Sequence, residues 1–370
     1  MLKKKALKIL INLTVVSLPT FFIIFLLFEF FIFRYILPAA QTPKLEYNKR
    51  FLILKPSTSG PQRGNHSMGP WTKNPSKWEI NNFGWINVSD YEKEKKRLRL
   101  AIIGDSYVMG LEVNTKDNFT ELVKKRYEDH MDVYSFGMAG SPMSNYSHMA
   151  EYVNHHFDPD ILLVNIVYND FKESVYEYAA PYLRNRFWTY RVINDSLIHE
   201  IPPDTLSLKE GKFNKFLKSF AIGRYLYHNI KITHLRKYFK NNASYTNPKR
   251  ISLNDEEEQQ KKVSAAVEAT LNRIKDEFVN KRVIITLDGL RNEIEHNLPF
   301  QDSRLNRDRM MLKEICKSKE IEFIDLTEHF QFDYNINKKS FGFEIDPHWN
   351  KYGHSKVAEI VIAYLNQEQN

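Results

Sequence analysis

The sequence predicts an α/β domain whose central parallel sheet is covered by helices on both faces, preceded by one apolar helix near the N-terminus. Short β-rich runs alternate with helical periodicity from residue 98 onward, a pattern typical of parallel sheets. A long apolar run near the start of the chain predicts the separate helix. The chain has 370 residues, of which 42% are apolar, so it can bury a core and is not of the disordered class.

The N-terminal segment predicts a membrane anchor. A lysine-rich tip, residues 1–8, precedes an apolar run over residues 9–33. A helix of roughly 25 residues at about 1.5 Å each would cross an apolar bilayer core of about 30 Å. A cleaved signal peptide is the alternative, with "LPAA" as its cleavage site, but the run is longer than is usual for one. We expect an uncleaved anchor in residues 1–40, with the basic tip in the cytoplasm and the remainder extracytoplasmic.

The formal net charge is +8, and a second basic concentration lies between residues 209 and 250. Its members are Lys209, Lys212, Lys215, Lys218, Arg224, Lys231, Arg236, Lys237, Lys240, Lys249 and Arg250. Nucleic acid is a poor partner for an extracytoplasmic chain, so we expect no nucleic-acid binding. An anionic membrane face or an acidic glycan fits the charge better, and a solvated helical surface is the alternative.

The organisation along the chain follows from composition. Residues 41–97 contain "PSTSGPQRG" and predict a linker with little regular structure, although "WEINNFGWIN" in residues 78–87 is aromatic enough to pack on the next domain. Residues 98–370 form that predicted domain. The interval at about 171–254 is too long for an ordinary connection, so we expect an insertion beside the site that shapes what can bind. The single cysteine, Cys316, excludes an intramolecular disulfide and is expected in the core.

The predicted secondary structure consists of short strands and longer helices. The strand runs are "LRLAII" (98–103), "DVYSF" (132–136), "ILLVNIV" (161–167), "RVIITL" (282–287) and "IEFIDL" (321–326). Helical spacing of apolar residues recurs over residues 119–127, 263–278 and 357–365.

Three strand ends carry polar groups suited to acyl chemistry. Ser106 follows the first strand in "AIIGDSYVMG", Gly140 follows the second in "SFGMAGSP", and Asn169 follows the third in "VYND". Reactive groups of a parallel sheet gather beyond the carboxyl ends of its strands. The backbone amides of Ser106 and Gly140 with the Asn169 side chain could therefore stabilise an oxyanion. Taken singly, each motif is also typical of a turn or a helix cap.

The segment "DPHWNKYGH" in residues 346–354 supplies the remaining candidates. It could be a metal site, half of a catalytic triad or a helix start. His348 could act as general base towards Ser106, with Asp346 holding its tautomer. No cysteine or second cluster completes a metal shell, so no metal or other cofactor is expected, and His354 is expected to cap or pack.

Together these blocks resemble the SGNH, or GDSL-type, hydrolase superfamily over about 270 residues from residue 98 onward. The resemblance rests on "GDS", "GMAGSP", "YND" and "DPHWNKYGH", and it implies a flavodoxin-like three-layer α/β/α sandwich with a metal-free Ser-His-Asp mechanism. Two positions depart from the family pattern. Val167 replaces a common glycine, and only Pro347 separates Asp346 from His348, which leaves two alternatives to Asp346, Glu344 as the acid or direct solvation of the imidazole.

The resemblance implies ester cleavage or acyl transfer through an acyl-serine. The anchor and "NNFGW" are similar to a bacterial extracytoplasmic branch that acts on cell-surface polymers. The expected substrate is an ester or acetylated carbohydrate, and transfer would require an acyl donor delivered by a polytopic membrane partner. The alternative is a non-catalytic glycan-binding module on the same scaffold.

Overall fold

The computed structural model describes residues 11–48, 51–56, 62–69, 74–193, 197–208, 211–232 and 253–367. The predicted basic tip and the basic residues between 233 and 252 lie outside these ranges. The chain divides into two compact units. The N-terminal unit comprises Met1–Thr42, Gly64–Pro75 and Glu210–Thr246, and the sheet unit comprises Pro43–Arg63, Ser76–Lys209 and Asn247–Asn370.

The strands and helices are numbered in chain order. The strands are β1 (Leu45–Asn48), β2 (Phe51–Leu54), β3 (Gln62–His66), β4 (Ser76–Ile80), β5 (Leu98–Gly104), β6 (Met131–Gly137), β7 (Ile161–Ile166), β8 (Thr189–Ile193), β9 (Leu197–Ile201), β10 (Arg282–Leu287), β11 (Glu322–Asp325), β12 (Gly342–Phe343) and β13 (Asp346–Trp349). The helices are α1 (Asn12–Ile36), α2 (Ser106–Met109), α3 (Phe119–Arg126), α4 (Met143–Phe157), α5 (Tyr168–Glu173), α6 (Pro181–Arg184), α7 (Lys212–Leu217), α8 (Ala221–Arg224), α9 (Leu253–Glu277), α10 (Arg291–Glu295), α11 (Arg304–Ser318), α12 (Leu326–Asn337) and α13 (Lys351–Asn366).

The central sheet has five parallel strands in the order β11-β10-β7-β5-β6. Renumbered along the chain, this order is 2-1-3-4-5, the flavodoxin-like arrangement. The five predicted strands agree with the observed ones to within one residue at each end. The predicted fold class is therefore confirmed.

Helices cover both faces of this sheet. Along β5, Ala101 and Ile103 belong to one buried apolar cluster, and Leu100 and Ile102 belong to another, because alternate side chains of a strand point to opposite faces. Residues of α4, α9 and α11 complete the first cluster. Residues of α3, α12 and α13 complete the second. The result is the three-layer sandwich expected from the sequence.

The prediction of little regular structure in residues 41–97 was wrong. β1 pairs antiparallel with β2, whose four apolar residues are all buried, and burial of that short run accounts for the strand. The expected packing of residues 78–87 is confirmed. Trp85 is fully buried with its ring 5.3 Å from that of Phe136 in β6, and nearby the Tyr91 hydroxyl donates to the Ser135 carbonyl at 2.7 Å.

The N-terminal helix α1 is long and apolar. An 18-residue window reaches a mean hydropathy of 2.4, and only 6% of that window is buried. Its ends, Asn12–Ser17 and Phe28–Ile36, wind as π-helix. By length and composition α1 could cross a membrane, and a signal sequence would meet the same test.

Close packing of α2 on the end of β6 requires a glycine at position 137. A Cβ built on Gly137 would lie 2.6 Å from the Val108 carbonyl carbon and 2.7 Å from the Met109 Cα. We expect Gly137→Ala to lower the free energy of unfolding by about 1–3 kcal/mol, as overpacking of a dense core does. Chemical denaturation of the full chain in detergent measures this change.

The matched control is Gly211→Ala. Among the described residues, no heavy atom lies within 4 Å of a Cβ built on Gly211, so its stability should stay within experimental error of the parent. Equal denaturation midpoints for Gly137→Ala and the parent would contradict the packing argument.

Candidate active site

Ser106 lies where β5 turns into α2. Asp105 caps this helix, because its Oδ1 accepts a hydrogen bond from the Tyr107 amide at 2.9 Å. Its Oδ2 lies 3.1 Å from the Ser106 Oγ. Burial raises the pKa of Asp105 to about 6, against the opposing effects of these hydrogen bonds and of His348. Asp105 thus holds the turn that presents Ser106.

His348 contacts Ser106 from β13. Its Nε2 lies 2.8 Å from the Ser106 Oγ, and its Nδ1 is hydrogen-bonded to the Asp346 carboxylate. The His348 amide also donates to Asp346 Oδ1 at 3.0 Å. Glu344, the alternative acid, is exposed. The structure therefore brings Ser106, His348 and Asp346 together in the order that a nucleophile, base and orienting acid require.

A further carboxylate, which the sequence reasoning missed, lies beside this group. The Glu112 Oε1 is 3.9 Å from the His348 Nδ1, and the Glu112 side chain is only 10% exposed. Burial would lower the pKa of His348, but the Asp346 hydrogen bond and the charges of Glu112, Asp346 and Asp105 outweigh it, so that pKa lies above its ordinary value. Glu112 belongs to no motif, so the sequence carried no signal for it.

A second polar network holds the segment that carries His348. The Tyr107 hydroxyl donates to the Pro347 carbonyl at 2.8 Å and accepts from the Arg291 Nη2 at 2.8 Å. Arg291 pairs with Asp288 at 2.8 Å, and Asp288 accepts from the Trp349 indole at 2.9 Å. Each neighbour of His348 in the chain is thereby fixed, which positions the imidazole against Ser106.

Gly140 lies in the turn after β6. Its φ of +76° is in the left-handed region, which glycine adopts without strain. The preceding residues anchor this turn, since the Met138 amide donates to the Gly104 carbonyl at 3.1 Å and the Ala139 amide lies 3.3 Å from the Met109 Sδ. The turn therefore lies against the same strand end and helix that carry Ser106.

Asn169 lies in the first turn of α5, directly after β7. Its side chain is exposed and its Nδ2 donates to the Glu173 Oε2 at 2.9 Å. The neighbouring Asp170 is buried and accepts from the Val167 amide at 3.0 Å and the Tyr146 hydroxyl at 2.7 Å. The start of α5 is thus fixed, while the grouping of Ser106, Gly140 and Asn169 as oxyanion donors stays a prediction.

Two other candidates are packed in the interior. His354 is buried, its Nδ1 accepts from the Phe119 amide at 3.3 Å, and burial lowers its pKa to about 3. It therefore packs as a neutral imidazole. Cys316 is buried, and burial raises its pKa to about 12. Within the described ranges, no group of three or more His, Cys, Asp or Glu side chains is arranged to hold a metal ion.

The sheet order and the helices on both faces decide the type of fold. It is a flavodoxin-like α/β fold. No family model matches the sequence, and no curated protein matches it. Solved structures do match, among them an esterase and two lipolytic proteins.

An acetyl xylan esterase, AlAXEase, has 13% identity and a TM-score of 0.40, with 72% of this chain and 99% of that chain covered. A G-D-S-L family lipolytic protein from Veillonella parvula has 12% identity and a TM-score of 0.38, with 72% and 97% covered. A lipase/acylhydrolase from Enterococcus faecalis has 11% identity and a TM-score of 0.38, with 73% and 96% covered. Similarity of this degree carries no information on activity. The activity of this chain must be inferred from the geometry of its own site.

The position of Glu112 predicts a change in the titration of His348. Replacing Glu112 by Gln removes a negative charge that favours the imidazolium, so the pKa of His348 should fall. NMR titration of the His348 ring nitrogens measures the effect. Glu344→Gln, at an exposed carboxylate close in sequence, should leave the His348 pKa unchanged. A His348 pKa that is equal in Glu112→Gln and the parent would refute the coupling.

Proposed function

We propose that the protein is an SGNH-type serine esterase or O-acyltransferase that acts through an acyl-Ser106 intermediate. The observation that carries the proposal is the 2.8 Å approach of the His348 Nε2 to the Ser106 Oγ, with Asp346 on the opposite ring nitrogen. A serine hydroxyl is a weak nucleophile unless an adjacent base removes its proton. His348 is placed to do so, and Asp346 stabilises the imidazolium that results.

The reaction has two halves. In the first, the Ser106 Oγ attacks the substrate carbonyl and its proton passes to the His348 Nε2. The tetrahedral intermediate then collapses, the alcohol leaves with that proton, and acyl-Ser106 remains. In the second half, His348 takes a proton from water or from a sugar hydroxyl, which attacks the acyl carbonyl. Collapse of this second intermediate breaks the bond to the Ser106 Oγ, which regains the proton from His348, and releases the acid or the acylated sugar. Water gives hydrolysis and a sugar hydroxyl gives transfer.

The charge that develops on the carbonyl oxygen needs fixed donors. In the proposal, the amides of Ser106 and Gly140 and the side chain of Asn169 supply them. The Asn169 amide nitrogen carries two hydrogens, so its bond to Glu173 leaves a second N–H for the oxyanion. That bond would also fix the orientation of the amide before the substrate binds.

The proposed location is the outer face of the cytoplasmic membrane. The lysine-rich tip before α1 favours a cytoplasmic N-terminus, and an apolar helix of this length would then serve as a single-pass anchor. An anchored catalytic domain suits a cell-surface polysaccharide, whose O-acetyl groups are fixed esters. Transfer would require an acyl donor on the same side, supplied by a polytopic membrane partner.

The triad can be tested with an activated acetyl ester, offered with and without an oligosaccharide acceptor. We expect acetate release by the parent, and a loss of about 10³-fold or more in Ser106→Ala and His348→Ala, as in enzymes that depend on a serine and histidine acting as a unit. Acetyl groups on the oligosaccharide would identify a transferase, and acetate alone would identify an esterase.

Ser318→Ala and His329→Ala serve as matched controls, since both side chains are exposed on helices of the sheet unit. They should retain the parent rate. The enzyme proposal fails if the parent protein neither hydrolyses the acetyl ester nor reacts at Ser106 with a serine-directed phosphonate. The non-catalytic glycan-binding module then becomes the better hypothesis.

The role of Asn169 predicts a selective loss of rate. Asn169→Ala should lower kcat by about 10²- to 10³-fold, as removal of one oxyanion donor does, with a smaller effect on KM. Asn337→Ala is the control, because Asn337 is also exposed and donates to an acidic side chain one helical turn away, at 2.9 Å. A normal kcat in Asn169→Ala would remove Asn169 from the oxyanion site.

A further inference from the structure

The proposed reaction makes no use of the exposed phenylalanines that lie outside α1 in the N-terminal unit. These lie in residues 211–232, which include α7 and α8 and which we name the aromatic-lysine segment. The side chains of Phe213 and Phe216 are 71% and 60% exposed, and Lys212 and Lys215 beside them are exposed as well. Exposed phenylalanines interleaved with lysines are typical of surfaces that bind a partner.

A buried carboxylate ties the start of α8 to α1. Glu29 is 3% exposed, its Oε1 accepts from the Ala221 amide at 2.8 Å, and its Oε2 accepts from the Ile222 amide at 3.0 Å. Arg34, further along α1, lies 3.5 Å from the same carboxylate. Both oxygens of the acidic group in α1 are thus satisfied.

Further contacts continue along the second half of α1. The Phe25 and Phe220 rings are 6.1 Å apart, and the Phe33 and Tyr225 rings are stacked at 4.3 Å. Past the end of α1, the Ala40 amide donates to the Asn229 Oδ1 at 2.8 Å. Residues 220–229 therefore run parallel to α1.

These contacts place the segment at a definite depth if α1 spans a bilayer. The part of α1 before Glu29 has a length of roughly 25 Å at about 1.5 Å per residue, close to the apolar core thickness of about 30 Å. Glu29 would then lie near the outer boundary of that core, and residues 220–222 with it. Aromatic rings and lysines are the side chains that this boundary favours.

We infer that the aromatic-lysine segment is a second membrane contact, in which Phe213 and Phe216 enter the acyl boundary and Lys212 and Lys215 meet anionic headgroups. The occupant is a lipid bilayer, because the segment is continuous with α1, whose own exposed apolar surface requires lipid. The inference rests on the proposed membrane anchor. It assigns to the described part of the basic insertion a role separate from substrate binding.

The test uses the full chain in lipid nanodiscs, in a Cys316→Ala background that removes the only cysteine. Environment-sensitive fluorophores are attached at Phe213→Cys and Phe216→Cys. The matched control is Phe332→Cys in α12, since Phe332 is 71% exposed, as Phe213 is. Phe22→Cys, at a site 59% exposed in α1, reports on the anchor alone. We expect a blue-shifted emission and quenching by nitroxide-labelled lipids at positions 213, 216 and 22 but not at 332.

The charge contribution is tested by Lys212→Gln/Lys215→Gln. We expect quenching at position 216 to fall in nanodiscs that contain phosphatidylglycerol, and to change little in phosphatidylcholine alone, because the lysines act through anionic headgroups. Glu29→Ala should lower the quenching at 213 and 216 while that at 22 persists.

Three results would overturn the inference. Quenching at 22 with none at 213 and 216 leaves the anchor intact and removes the second contact. Absence of quenching at all three positions removes the anchor as well. A blue shift at 213 and 216 without lipid quenching would mean that a protein surface covers the segment. None of these fluorescence measurements depends on esterase activity. Failure of the proposed chemistry can therefore be distinguished from failure of the membrane contact.

Discussion

The hydrogen bond from the Tyr107 hydroxyl to the Pro347 carbonyl joins two segments that lie 240 residues apart in the sequence. Tyr107 follows Ser106 and Pro347 precedes His348, so this bond constrains the distance between the Ser106 hydroxyl and the His348 imidazole. Arg291 holds the tyrosine oxygen in place, and its partner Asp288 is shared with Trp349. Because these buried polar groups partner one another, the network can order the site before a substrate arrives.

The short spacing between Asp346 and His348 has a simple structural reason. Both residues belong to β13, and residues two apart on a strand point to the same side. One intervening residue, Pro347, therefore suffices to place the carboxylate beside the Nδ1. In a helix or a wide loop, more residues would be needed between the acid and the histidine. Glu112 and Asp105 add negative charge around the ring. The site thus favours the protonated form of His348.

The strands and the helix periodicities of the sheet unit were predictable because a buried parallel strand reads as a continuous apolar run. Ser106 and His348 were predictable because motifs mark the end of β5 and the start of α13. The short antiparallel pair β1–β2 was missed, since its four-residue strands lie beside a Pro- and Ser-rich stretch that predicts a linker. Glu112 and Arg291 were missed because tertiary packing alone brings them to the site. No local sequence pattern predicts their position there.

Glu29 shows how one polar residue can constrain a whole segment. A carboxylate in an apolar helix is costly unless hydrogen bonds satisfy it, and the cost is larger where lipid replaces water. The backbone amides of Ala221 and Ile222 supply the missing donors. No local pattern connects Glu29 with residues nearly two hundred positions away. The two hydrogen bonds that satisfy its carboxylate nevertheless fix where the aromatic-lysine segment lies along α1.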